Sequence, residues 1–261
     1  MMTAFAAIAA YLIATLRLIR HVYRPGETGH AGLFVGGIGT LLHFAVHGDA
    51  WRVAGAPDLH FFAALSLVGL GMAALTLLAP FSRRLDALGV VVFPIAATTL
   101  LLYALFGRSG VVAMDWRIQL HAFLALLAYA ALALAALLAI LLWLQEHALR
   151  QRRFTGLLRA LPPLTQLETL LFRTIGAGFG LLTLALVSGV LFVEDLLAQH
   201  LAHKTVLSAL AWLVFGGLLL GRWRYGWRGR RAVRLTLLAM CLLGLAFFGS
   251  KFVLEILLRR G

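Results

Sequence analysis

Eight apolar stretches, each long enough to cross a bilayer, fill most of this 261-residue chain and leave it few ways to fold. A crossing helix needs about 20 mostly apolar residues. In lipid, only helices and closed barrels satisfy their own backbone hydrogen bonds. The stretches lie near residues 2–19, 31–48, 60–80, 87–106, 118–145, 172–193, 204–221 and 233–256. The chain is 62% hydrophobic and 13% charged, far from the composition of a soluble domain. The pattern predicts an all-α integral membrane protein: a bundle of eight transmembrane helices forming a single domain over residues 1–261. The first stretch does not read as a cleavable signal. Its start bears no charged side chain, and its basic residues, Arg17, Arg20 and Arg24, follow the apolar run.

Charge then orients the bundle. Alternate links carry sixteen of the 23 lysines and arginines and four of the ten acids, a net charge of +12. The richest are Arg150–Arg173 and Arg222–Arg234. The other links and the tail carry seven and six, a net charge of +1. The positive-inside rule places the first set in the cytoplasm and both termini on the periplasmic side; the basic tail (Lys251, Arg259, Arg260) runs against it. This sorting explains the overall charge of +13 better than nucleic acid does, since no basic run is interleaved with stacking aromatics on a polar face. The one cysteine, Cys241, lies in an apolar run and excludes a disulfide, a CxxC redox pair or a cysteine zinc site within the chain. The longest link, 146–171, contains Pro162 and Pro163, which are expected to stop the preceding helix. Residues 164–172 then read as an interfacial lead-in to the sixth span.

In this orientation His43, His47, His60, His121, His200 and His203 fall on or near the outer face, and His21, His30 and His147 fall inside. Ionisable groups at bilayer depth are costly and often have a task. His43 and His47 are four residues apart and share a helix face; His121 and Tyr129 are eight apart, again close to one face. Three readings stand for such a cluster. Neutral imidazole can ligate haem iron in an apolar slot. It can bind a divalent metal or carry protons. It can simply hydrogen-bond headgroups and neighbouring helices.

Several segments occur in a particular order: His121 to Tyr129, Pro162-Pro163-Leu164, Leu167-Glu168, Gly178-Phe179, Lys204-Thr205 with Ser208 and Trp212, and Gly226-Trp227-Arg228-Gly229-Arg230-Arg231. Together, over roughly residues 30–255, they resemble the cytochrome c assembly family of haem-handling membrane proteins. The likeness is nearest to the short YpjD-type branch, with the HemX and CcsA types further off. The resemblance implies that His121 ligates haem at the outer side. It implies that Lys204, Ser208 and Trp212 match the end of the tryptophan-rich segment that cradles the haem. The Trp-Asp-Pro that precedes that lysine in the family is absent; Glu194-Asp195 and His200 to His203 stand there instead. The family's later membrane and outer histidines are replaced near Arg222 and Lys251. His121 therefore remains as the implied axial ligand, with His43 as candidate second ligand and Tyr129, Lys204 and Trp212 lining or supporting the pocket.

Other features have plainer readings. Lys204 can meet a haem propionate or snorkel to the interface. Gly226–Arg231 can grip phosphate or serve as a positive-inside loop. Gly176, Gly178, Gly180 and Gly189 suit close helix packing, and Thr183 and Ser188 suit bonds back to their own helix. Glu255 stands alone near the end of the last span. No phosphate loop, nucleophile–His–acid order or intramembrane carboxylate pair is present, so nothing argues for an enzyme.

The expected function is a haem-binding protein of a bacterial inner membrane, handling or sensing haem at the outer face. Its partners would be the lipid bilayer, haem and other cytochrome c maturation proteins, with no nucleic acid. The alternatives are a transporter or transport regulator for a divalent cation, and a membrane scaffold with a vestigial pocket. The first lacks the oxygen ligands that hard cations want.

Overall fold

The structure, a computed structural model, describes residues 1–23, 30–78, 86–107, 115–152, 158, 161–192, 199–249 and 251–252. Eight long helices carry these residues: α1 Met2–Tyr23, α2 His30–Ala54, α3 Phe61–Leu78, α4 Asp86–Phe106, α5 Trp116–Arg150, α6 Leu164–Phe192, α7 Gln199–Tyr225 and α8 Arg230–Gly244. The last continues as a π-helical turn, Leu245–Gly249. Eight spans, the last including that turn, are long and apolar enough to cross a membrane. Arg24, Arg83, Arg84, Arg108, Arg153, Arg159, Glu194, Asp195, Glu255, Arg259 and Arg260 lie outside the described residues, as does the side chain of His200.

The 146–171 link differs from expectation in two ways. α5 runs for 35 residues, about 50 Å at 1.5 Å per residue, and ends where Arg152 takes a φ of 55°. The backbone N–H of Arg152 reaches back to Leu149 O at 3.1 Å. The prolines play no part in that stop. They immediately precede α6, where a missing N–H is harmless because the first helical donors have no partner anyway. Nor is 164–172 a separate interfacial segment. Leu167, Leu171 and Ile175 are fully buried at a spacing of four, one continuous stripe that holds α6 as a single helix.

The chain divides into two compact units, residues 1–113 with 147–163, and residues 114–146 with 164–261. In the first, α1 packs on α2 and α4, and α3 packs on α2 and α4. Apolar attraction between helices is weak in lipid, so close approach at small residues matters. A Cβ on Gly36 would stand 2.3 Å from Phe93 Cζ, and one on Gly69 2.2 Å from Thr99 Oγ1. Tyr11 of α1 stacks on Phe93 of α4 at 5.7 Å.

In the second unit α7 packs on α6 and α8. Trp212 of α7 donates its indole N–H to Thr183 Oγ1 at 2.8 Å and stacks on Phe179 at 5.4 Å. The Gly226–Arg231 segment is a structural joint. Gly226 and Gly229 adopt positive φ of 64° and 58°, open to glycine at little cost, the first just past the end of α7 and the second at the N-cap of α8. Glu168 of α6 accepts the Gly229 N–H at 3.2 Å and lies 3.6 Å from Arg222 Nη1. The Arg222 guanidinium sits over the Phe172 ring at 4.7 Å.

Candidate functional site

Within the second unit α5, α6, α7, α8 and the π-turn line a partly open cavity of about 320 Å³. Its walls are mainly apolar: Leu182, Leu186 and Val190 from α6, and Leu243, Ala246 and Phe247 from α8 and the π-turn. His121 and Tyr129 face it from α5, and Lys204, Thr205 and Ser208 from α7. Three of the five residues singled out from sequence thus line one space, together with Ser208.

His121 is held through one ring nitrogen. Its Nδ1 lies 2.9 Å from Ala185 O and 3.1 Å from Ser188 Oγ, and Ser188 donates its own hydroxyl to Ala185 O at 2.9 Å. A carbonyl only accepts, so Nδ1 carries the hydrogen in the neutral ring, and Nε2 keeps a lone pair. No hydrogen bond to Nε2 occurs among the described residues. The ring lies against Gly189, where an added Cβ would stand 3.1 Å from His121 Cε1. A backbone carbonyl on one nitrogen, fixing tautomer and orientation and leaving the other as donor, is the usual support for a metal-bound imidazole.

Tyr129 braces the cavity two turns further along α5. Its hydroxyl donates to Leu243 O at 2.5 Å, just ahead of the π-turn, and its ring packs on Phe247 and Phe248 with centroids 5.8 and 5.6 Å away. Such a bond contributes about 1 kcal/mol net, and losing it costs more where a buried carbonyl is left bare. Lys204 is half-buried at the cavity and supplies its positive charge. Trp212 does not line the cavity; it acts one step behind, joining α7 to α6 through Thr183.

His43 belongs to the first unit. It is fully buried, with Nδ1 3.3 Å from Tyr11 Oη and Nε2 2.8 Å from Ser66 Oγ, so both ring nitrogens are engaged. His47 shares Ser66 through its Nε2 at 3.0 Å. His60 contacts Asp58 at 2.7 Å, and His203 is exposed. Among the described residues no three of His, Cys, Asp and Glu are grouped to hold a metal ion.

Ser188 and Thr183 hold the His121 and Trp212 side chains from α6. As their positions within a span predict, each bonds back to its own helix, Ser188 to Ala185 O and Thr183 to Phe179 O. Each also takes a cross-helix partner, His121 and Trp212. No signal within a single span marks these partners, because each depends on how α6 packs against a neighbouring helix.

The family model described as cytochrome C assembly protein matches residues 59–258. It therefore includes the cavity but excludes His43 and His47. Similar proteins include the uncharacterized 28.8 kDa protein in the nifR3-like 5′ region of Azospirillum brasilense, 43% identical over 143 residues, 54% of this chain and 53% of that one. Inner membrane protein YpjD of Escherichia coli K12 is 36% identical over 137 residues, 52% of each chain. Protein HemX of Brevibacillus brevis is 32% identical over 131 residues, 49% of this chain and 48% of that one. The chain thus spans about half the length of the curated relatives it matches. No solved structure matches it. The chain belongs to the cytochrome c assembly protein family.

Proposed function

We propose that this chain binds haem in the second unit's cavity and handles or senses it at the outer face of a bacterial inner membrane, in cytochrome c assembly. The observation that carries this reading is the tethered imidazole. His121 gives its Nδ1 hydrogen to Ala185 and presents Nε2 as a donor in a mainly apolar, aromatic-walled space. The residues fit the group: His121 would hold the iron, Phe247 and the α6 leucines would flank the macrocycle, and Lys204 would meet a carboxylate. Haem bound there would supply an iron centre whose electronic character the imidazole and its apolar surroundings set. His121 alone is taken as the ligand, because His43 has both nitrogens engaged. Other cytochrome c maturation proteins are the partners this reading implies. The test is an absorbance spectrum of the purified protein, oxidised and reduced. Haem bands that shift on reduction support the reading, and a spectrum without them, after haem is supplied, overturns it.

The outer-face part of the proposal rests on charge. With the arginine-rich links inside, both termini are periplasmic and the His121 end of α5 faces outward. A reporter active only in the periplasm, fused after Arg228, is expected to stay silent, while one fused after Asp115 is active. The reverse pattern puts the cavity at the cytoplasmic face.

A further inference from the structure

The first unit buries a polar chain that the haem reading leaves unused. Tyr11 of α1, His43 of α2, Ser66 of α3 and His47 of α2 form an unbroken series, with contacts of 3.3, 2.8 and 3.0 Å. His43 and Ser66 are fully buried. Two of these links are at ordinary hydrogen-bond length and the third at its outer edge. Every member can both donate and accept, and chains of this kind within membrane spans mark proton pathways.

Two arrangements let a proton pass along the whole chain. Ser66 has one hydrogen, yet it meets Nε2 of both histidines. It can donate to one ring only, so the other ring must donate to it. In one arrangement Tyr11 donates to His43 Nδ1, His43 Nε2–H donates to Ser66, and Ser66 donates to His47 Nε2. In the other every bond is reversed: His47 Nε2–H donates to Ser66, Ser66 to His43 Nε2, and His43 Nδ1–H to Tyr11. Tyr11 then donates to Thr40 Oγ1 at 3.3 Å, and Thr40 donates to Gly36 O at 2.9 Å. In both of these arrangements neutral His43 and His47 carry opposite tautomers; a third, in which both Nε2–H groups donate to Ser66, also meets the contacts but carries no proton along the chain. Changing from the first arrangement to the second takes up one proton at Tyr11 Oη and releases one from His47 Nδ1. Three protons hop between, and the net charge of the chain is unchanged.

We propose that Tyr11, His43, Ser66 and His47 form a proton relay within the first unit. Further polar groups gather at its His47 end. Tyr103 of α4 stacks on His47 at 4.8 Å. Asp58 is buried and meets the rim imidazole of His60 at 2.7 Å. Tyr11, Tyr103, Asp58 and His60 are the titratable side chains that the described residues place around the histidine pair. The relay lies in the first unit, and its two histidines precede the family-matched region.

The test is solid-state nitrogen NMR of the full-length chain in lipid bilayers with ¹⁵N-labelled histidine, the two rings assigned by difference against His47→Asn. At a pH where both rings are neutral, one should be protonated on Nδ1 and the other on Nε2, the two exchanging tautomers together as temperature rises. Ser66→Ala should uncouple them, and Ser66→Thr should restore the coupling. Equal tautomers on both rings, a pattern that never exchanges, or coupling that survives Ser66→Ala overturns the relay. The tautomer measurement on the unsubstituted protein decides the question even where a variant fails to fold.

Discussion

Purified His121→Ala protein is expected to lose the haem bands while keeping its helical content. His121 is the imidazole lining the second unit's cavity among the described residues, and the structure offers iron no nitrogen ligand of equal quality there. Disturbing the outer shell of a metal site typically weakens binding about 10–100-fold, so removal of the ligand itself should exceed the upper end of that range. The helices should tolerate the change. Ala185 O keeps the Ser188 hydroxyl at 2.9 Å, so truncation of the ring leaves no buried carbonyl bare. Circular dichroism of the variant in detergent should therefore match that of the parent. Ser188→Ala makes a graded control: it removes one of two contacts to Nδ1 and should weaken haem binding far less. Full haem absorbance in His121→Ala would remove this residue from the site.

The spans were legible because lipid imposes one rule on every one of them, an apolar run of sufficient length. Their ends were not. α2 continues to Ala54 and α5 to Arg150, past the apolar runs, because a helix leaving the hydrocarbon keeps its backbone bonds and simply changes its side chains. Within the candidate site, His121 and Tyr129 could be picked out by type and spacing on a single helix. Ser188 and Gly189 could not, since their meaning depends on the register of α6 against α5, a relation between residues 67 and 68 positions apart. The same holds for the polar chain of the first unit. His43 and His47 announce themselves four residues apart, but Ser66 lies 23 positions from His43 and Tyr11 lies 32. Only the packed helices show that one serine hydroxyl serves both rings.

Gly178→Leu is expected to be among the most damaging single changes in the second unit, and the reason links helix packing to haem. A Cβ at this position would stand 2.7 Å from Leu132 Cγ and Cδ2 and 3.3 Å from Ala131 Cβ, across the α5–α6 contact. Leu132 is fully buried and has little room to give. Overpacking of this kind costs about 1–3 kcal/mol, and relief requires α6 to move away from α5. Those are the two helices whose separation sets the His121 to Ala185 contact, at 2.9 Å. Gly178→Leu should therefore lower the thermal unfolding midpoint in detergent and weaken haem binding together, although it touches no cavity residue. Its neighbours provide the control. A Cβ on Gly176 or Gly180 meets nothing within 4 Å, so Gly176→Leu and Gly180→Leu should leave both properties intact. Helix propensity alone favours leucine over glycine by somewhat under ~1 kcal/mol at all three sites. An outcome in which the three variants behave alike would show that the α5–α6 approach does not govern the site, whereas loss at 178 alone ties the imidazole's position to a single missing side chain two turns or more away along α6.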